Sequence, residues 1–588
     1  MRGVYRGGVK MENKPSVSLC MIVKNEESCL EKCLASMQDL VSEIIIVDTG
    51  STDGTIEIAQ KYHAVVETYK WQNDFSKARN YSLSLATQEW ILVLDADEYL
   101  RESDRELFRK ALEKKDVDSY YIKTLSFTQK NNSHSCVINL NHRLFRRSKG
   151  FYYTGAIHEQ LVTKQVVNSQ LSEIGFYHTG YLREVVSAKN KPLRNKAILE
   201  ELLKQNPNSP FHQFNYANEL AQLHQYDEAV EFYNKAYRST SPRQGYMPKL
   251  MIFRINTLIA NGQEREALAA ANEGIKIYPR FTYLMFIKGT LEERLGFTTK
   301  AIRSYEACLT LGKPEAQFEF SSASEGLWPH LKLATLYERY GDYEMAIDHY
   351  KKYLMIDSSQ YKILYSIASC LNRMGITGET LAHQLEAYLP QVQTSYQVLL
   401  IDLLMKQKCF EVANGYLKKS RPLEKSSQLV YLYGKNQFYL GNYEESDQYF
   451  KKYMALDCFN TVERYYYLMY LFTGHLDYSV ETLPYAPVYH EIDNRLQGRG
   501  SESFGAEEFK TITYLIEELL LLSQMEWILR IEQVINPMLS LSQRLELAQI
   551  YSKYQAHDQV QAQLMTYFAQ GGEPNLQVIQ LLDRWQRK

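Results

Sequence analysis

The sequence predicts an α/β domain built on a parallel sheet, followed by an all-α array of helical repeats. Three observations carry this expectation. Four short apolar runs alternate with amphipathic segments before residue 100, the hydrophobic period changes near residue 186, and a small residue recurs ahead of an aromatic one beyond that point. At 588 residues the chain is also too long for one compact core.

The apolar runs are VSLCMIV (17–23), EIIIVD (43–48), HAVVE (63–67) and WILVLD (90–95), with helix-like stretches at 27–38, 53–62 and 75–87 between them. Continuous β-branched runs separated by helices indicate strands covered on both faces, hence a parallel sheet. Ligands of open α/β sheets bind at the carboxyl ends of the strands. The acids that follow these runs are therefore candidates for chemistry.

From about 186 the strand-like runs give way to helical ones. LHQYDEAVEFYNKAY (223–237), RYGDYEMAIDHYKKYL (339–354) and YLGNYEESDQYFKKYM (439–454) each place an Ala or Ser four residues before an aromatic. The pairs are Ala229 with Tyr233, Ala346 with Tyr350 and Ser446 with Phe450, and Ala301 with Tyr305 repeats them. Positions 229, 267, 301 and 346 are spaced by 38, 34 and 45 residues. The pattern resembles the tetratricopeptide repeat, in which a small residue lies where two helices cross and an aromatic fills the next layer. It predicts repeats over 186–480, with a poor match from 360 to 425, and a helical cap over 481–588. The 46 tyrosines are expected to pack the repeats or to line a binding surface.

Lys plus Arg total 67 against 69 Asp plus Glu, a net charge of -2, so no global field favours nucleic acid or an anionic membrane. No run of eighteen apolar residues exists, and MRGVYRGGVKMENKP (1–15) lacks the apolar stretch of a signal peptide. It reads as a leader without structure. Eight scattered cysteines form no disulfide framework, so a cytoplasmic location is expected. Cys29 and Cys33 in CLEKC read as small apolar residues of a buried face, since no second Cys/His pair completes a zinc site.

The strongest local signal is Asp95-Ala96-Asp97-Glu98, directly after ILVL. Carboxylates at i and i+2 beyond a strand end can aim at one hard cation, and such a cation can bridge diphosphate oxygens. In isolation the same spacing also describes a solvated turn. Together VSLCMIVKNEE (17–27), IIIVDTGSTDGT (44–55) and FSKARNYSLSLATQEWILVLDADEYL (75–100) resemble the nucleotide-sugar half of family 2 glycosyltransferases, in order and in spacing.

That resemblance implies a GT-A fold, a Rossmann-like nucleotide-sugar domain over 16–185, with an inverting mechanism, a UDP-sugar donor and Mn2+ or Mg2+. It places Val23, Glu26, Asp48, Arg79, Asp95 and Ala96 at the donor, with Asp48 against the base or ribose. Glu26 is either a nucleoside contact or a helix N-terminal charge. Arg79 lies near the nucleotide or on a helix surface, and Asp53 binds donor or caps a helix. No phosphate-binding G-x4-G-K-[ST] or dinucleotide G-x-G-x-x-G context exists.

The acceptor half contains GFYYTGAIHEQL (150–161) and GFYHTGY (175–181). HEQLV is not a zincin motif, because Val162 stands where the second His would be. By the resemblance, Glu159 is the general base, with Asp95 as the alternative, and His178 joins Asp97 and Asp95 as the third metal ligand. Glu159 as a structural acid and His178 as a core histidine stay open. The HE-L and H-x-GY segments followed by repeats resemble the subgroup that includes sublancin S-glycosyltransferases. This implies a peptide or protein acceptor and allows a homodimer. The competing expectations are a cell-envelope glycan or lipid acceptor, and a non-catalytic scaffold with a degenerate GT-A domain.

Overall fold

The computed structural model describes residues 16–127, 136–178, 190–315, 318–389, 394–420, 426–456, 462–474, 486–499 and 505–585. The leader over 1–15 and the expected boundaries at 185/186 and 480/481 lie outside them. The chain divides into two compact units, Met1–Pro329 and His330–Lys588, so the division falls inside the helical region.

In the first unit the apolar runs become strands β1 (Val17–Val23), β2 (Glu43–Asp48), β3 (Val65–Thr68) and β4 (Trp90–Val93). Helices α1 (Leu30–Met37), α2 (Thr55–Lys61) and α3 (Phe75–Leu85) connect them. β1 pairs in parallel with both β2 and β4, and β2 with β3, as the runs predict. Strand side chains point alternately to the two faces. Leu19, Met21, Ile44, Ile46, Trp90 and Leu92 pack with Leu30, Leu34 and Met37 of α1. Cys20, Ile45, Ile91 and Val93 pack on the other side with Ala86, Phe145 and Phe151. Each fully buried aliphatic or aromatic side chain of this kind contributes about 1.5–3 kcal/mol.

Beyond β4 the sheet becomes mixed. Six strands follow: β5 (Glu98–Leu100), β6 (Ser119–Phe127), β7 (Cys136–Arg146), β8 (Tyr152–Thr154), β9 (Gln160–Val162) and β10 (Ser169–His178). The eight-stranded order is β3-β2-β1-β4-β7-β6-β10-β5, and β8 pairs with β9 apart from it. β7 runs antiparallel to β4 and β6, while β10 is parallel to β6 and antiparallel to β5. The four strands read from the apolar runs thus form one half of the sheet, and the other half mixes parallel and antiparallel pairs. The later strands, SYYIKTLSF and SQLSEIGFYH among them, carry polar residues within the run and give no continuous apolar signal.

Seven helices of the same unit follow: α4 of the sheet domain (Arg105–Glu113), then α5 (Asn190–Gln205), α6 (Pro210–Gln222), α7 (Tyr226–Ser239), α8 (Met247–Ala260), α9 (Glu264–Ile277) and α10 (Thr282–Arg294). An eighth, α11 (Thr298–Leu311), completes it before the unit's end. Ala229, Ala267 and Ala301 are fully buried, as are Tyr233 and Tyr305. The tyrosines bury their rings and keep a partner for the hydroxyl: Tyr233 donates to Asn218 Oδ1 at 2.7 Å and Tyr305 to Glu293 Oε2 at 2.9 Å.

The second unit repeats the device. Ala346, Tyr350, Ser446 and Phe450 are buried, and Tyr350 donates to Glu338 Oε2 at 2.6 Å. The stretch that matches the repeat poorly still folds as short helices, Ile363–Arg373, Gly378–Glu386, Thr394–Lys406 and Phe410–Lys419. Leu and Ile side chains such as Ile367, Leu381, Leu385 and Leu404 fill its layers there in place of the Ala/aromatic pair. Among the described residues no helix is long and apolar enough to cross a membrane.

Candidate functional site

The loops after β1 and β2 are laced together. Asn25, at φ 57°, accepts the Thr52 amide at 2.7 Å and gives its own N–H to Ser51 Oγ at 2.9 Å. The Glu26 amide donates to Thr55 Oγ1 at 2.7 Å, and the Gly54 amide to Glu27 Oε2 at 3.1 Å. The carbonyl of Val23 accepts both the amide and hydroxyl of Thr49, each at 3.0 Å. Asp48 is buried at the end of β2, where it accepts the amides of Gly50 at 3.0 Å and Ser51 at 3.1 Å and the Ser51 hydroxyl at 2.5 Å. Gly50, at φ 108°, takes a conformation that side chains disfavour, which lets the chain reverse here. Asp53 accepts the amides of Thr55 and Glu27 and so ties the start of α2 to the neighbouring loop. The Glu26 carboxylate accepts a contact from Cys29 Sγ at 3.1 Å.

The end of β4 is organised by arginines. Strand pairing stops at Val93, and Asp95 begins a turn in which its amide donates to Glu98 Oε2 at 3.0 Å. Arg79, on α3, is buried rather than lying on the helix surface. Its Nη2 lies 2.8 Å from Asp95 Oδ1 and its Nε 2.5 Å from Glu159 Oε1. On the opposite side, Arg143 of β7 places Nη2 2.9 Å from both Asp95 Oδ2 and Glu98 Oε1. The result is a ladder of alternating charge, Glu159–Arg79–Asp95–Arg143–Glu98. The two guanidinium groups hold Asp95 well below the usual carboxylate range against the cost of burial. Glu98 is pushed up, chiefly by burial.

Asp97 points elsewhere. Its Oδ2 lies 3.1 Å from His178 Nε2, and the two side chains are 30% and 24% exposed. Pairing of β10 with β5 sets His178 opposite Glu98 and hence next to Asp97. The hydrogen bond to Asp97 is the main cause that raises the proton affinity of His178 above the ordinary imidazole value. Ala96 between the two acids is buried among Leu94 and Leu100, so only its backbone borders the site.

The sequence-derived set thus separates into three groups. Val23, Glu26 and Asp48 shape the loops at the ends of β1 and β2. Arg79, Asp95 and Glu159 join one charge ladder, and Asp97 meets His178. Both oxygens of Asp95 face arginines, and among the described residues no three His, Cys, Asp or Glu side chains form a metal-binding group. Asp97 and His178, adjacent and partly exposed, would serve a divalent cation as two protein ligands. Arg143 and Glu98 were missed by sequence reasoning. Glu98 was visible as the last acid of DADE, while Arg143 lies in NHRLFRR, where nothing local separates it from its neighbours.

An open α/β sheet with an acid-rich loop at the carboxyl end of a central strand, joined to helical repeats, defines the class. Residues 18–173 match Glycosyl transferase family 2, and residues 213–241 and 330–360 match the Tetratricopeptide repeat. The chain therefore carries a family 2 glycosyl transferase domain together with tetratricopeptide repeats. It is 28% identical over 252 residues to the SPbeta prophage-derived glycosyltransferase SunS of Bacillus subtilis (strain 168), covering 42% of this chain and 59% of that protein. It is 29% identical over 191 residues to the lipopolysaccharide core biosynthesis glycosyltransferase LpsC of Rhizobium meliloti, covering 30% and 69%. The chain thus spans little more than half of the length of SunS. Among solved structures it is similar to S. aureus TarS 1-349, with 16% identity and a TM-score of 0.25, covering 42% of this chain and 89% of that one.

Proposed function

We propose that this protein is an inverting glycosyltransferase that moves a sugar from a UDP-sugar to a peptide or protein side chain in the cytoplasm. The observation that carries the proposal is the charge ladder Glu159–Arg79–Asp95–Arg143–Glu98 at the end of β4, beside the Asp97–His178 pair. It concentrates acids where open α/β sheets bind ligands, within a domain whose sequence matches family 2.

In this reading the loops after β1 and β2, drawn together by Asn25 and Asp48, form the nucleoside side of the donor pocket. Asp95 has its charge and position fixed by two arginines. Arg79 engages one oxygen of Glu159 and leaves Oε2 to accept the acceptor's proton. The acceptor atom attacks the anomeric carbon, the bond from that carbon to the phosphate oxygen breaks, and UDP departs with the electron pair. The proton passes from the acceptor to Glu159, which must stand on the acceptor side of the anomeric carbon. A divalent ion, Mn2+ or Mg2+, held by Asp97 and His178 would neutralise charge on the leaving diphosphate.

Repeats that stack into extended surfaces support a peptide or protein acceptor. A cell-envelope glycan is the second reading, favoured by the likeness to a lipopolysaccharide core enzyme. The test is UDP release from a panel of UDP-sugars with Mn2+, for wild type and Asp97→Ala, with UDP binding measured on the same samples. Release that is selective for one sugar and lost in the variant supports the donor site. Absence of both release and binding returns the chain to a non-catalytic scaffold. Offering peptides and core oligosaccharides in parallel then separates the two acceptor readings.

A further inference from the structure

The loop that carries Glu159 rests on the first repeat helices. Ile157 is buried in one apolar cluster with Leu199 of α5 and with Phe214, Tyr216 and Leu220 of α6. Just before it, the carbonyl of Ala156 accepts the Phe75 amide at 2.8 Å, which ties the loop to the start of α3. His158 follows at φ 53°, a left-handed conformation that a non-glycine residue keeps only where its surroundings hold it.

A partner for its side chain comes from the repeats. His158 Nε2 lies 3.5 Å from Oε1 of Glu219, which belongs to α6 and is 2% exposed. The same oxygen accepts Asn195 Nδ2 of α5 at 3.1 Å. Oε2 of Glu219 is buried with no hydrogen-bond partner among the described residues. A carboxylate buried with one oxygen unsatisfied is costly. Its polar contacts reach the neighbouring helix through Asn195 and the loop through His158.

We propose that Glu219 is a positioning residue for sugar transfer: from the second repeat helix it fixes His158, and through it the 155–159 loop, so that Glu159 stays against Arg79. The inference rests on the reading of Glu159 as the base. The first repeats are then part of the catalytic unit, and the sheet domain alone does not hold its acceptor side in place. The chain's compact unit, which includes these helices, agrees with this.

The experiment uses the full chain with the peptide or core oligosaccharide that the acceptor panel selects, and compares wild type with Glu219→Gln, His158→Gln and His158→Ala. Readouts are kcat, KM for the acceptor and the Kd for UDP. Glu219→Gln and His158→Ala are expected to lower kcat roughly 10- to 100-fold, the range for a misplaced reacting group, with UDP affinity held. His158→Gln keeps an N–H for Glu219 and is expected to retain most of the activity. Wild-type kcat in Glu219→Gln overturns the proposal. So does a parallel fall in UDP affinity and melting temperature, which would mark a general folding role, or a His158→Gln variant as impaired as His158→Ala. A wild-type protein that neither binds nor releases UDP defeats the glycosyltransferase reading itself and the proposal with it.

Discussion

Arg79 Nη2 stands 2.8 Å from Asp95 Oδ1, while Nε of the same guanidinium holds Glu159, so a single buried side chain joins the end of β4 to the acceptor-side loop. The planar guanidinium presents Nη2 and Nε to the two carboxylates in a fixed geometry. Arg79→Lys is expected to keep one contact and to lose at least about 100-fold in UDP release, the scale of a misplaced catalytic group. Arg79→Ala takes the guanidinium from Glu159 and leaves Asp95 only Arg143, and because both acids are partly exposed it is expected to cost about 0.5–3 kcal/mol in stability. Urea denaturation beside the release assay checks both. A lysine variant of wild-type rate would show that the bridge to Glu159 has no part in turnover.

In the proposed metal site, affinity at Asp97 and His178 is expected to depend on pH in a defined direction. A metal needs the neutral imidazole, and His178 holds its proton more tightly than the ordinary value of 6.5 because Asp97 hydrogen-bonds to it. Mn2+ affinity, followed by calorimetry, is therefore expected to fall as pH drops, starting above that value. His178→Ala is expected to weaken binding by roughly tenfold or more and to flatten the pH dependence. Unchanged affinity in the variant removes His178 from the site.

His142 of β7 gives a second pH effect in the same direction, from a pKa shifted the opposite way. Its ring stacks on Tyr121 at 4.4 Å between centroids and meets Phe151 edge-on at 5.4 Å. Burial lowers its pKa from 6.5 to about 4. Between those values the unfolded chain binds the proton and the folded chain does not, so stability is lost as pH falls through that window. The loss is of order 2–3 kcal/mol. Replacement by Phe is expected to reduce the difference between urea midpoints at pH 7 and pH 4.5. An equal difference in the variant would assign the acid sensitivity to other groups.

The parts of this fold that the sequence disclosed are those with a local signature. β1, β2 and β4 are continuous apolar runs, and the Ala229–Tyr233 type of pair, four residues apart on one helix face, recurs along the helical part. The acids of DADE follow a strand, so their place at its end could be read directly. Arg143 could not be found this way, because its partners Asp95 and Glu98 lie more than forty residues earlier and meet it only through the antiparallel pairing of β7 with β4. Glu219 is hidden for the same reason: it looks like one more helix acid until folding brings it to His158. Long-range charge partners have no period for a sequence to display.

The repeats also hold a local test of packing. A Cβ added at Gly289 of α10 would come within 2.8 Å of Tyr305 Cε1 and 3.2 Å of Ser304 Cβ, both on α11. The fully buried Tyr305 ring, whose hydroxyl binds Glu293, has little room to withdraw. Gly289→Ala would by helix propensity alone be favourable by about 1 kcal/mol, but overpacking of a tight core typically costs about 1–3 kcal/mol. The clash is expected to dominate, so the variant should melt below wild type. Tyr305→Leu removes the ring that collides and loses its own packing. In the double variant the two changes should therefore cost less than their sum. Additive losses, read by thermal melting of the four proteins, would mean that the two helices separate to admit the methyl group and that the close approach is not fixed by Tyr305.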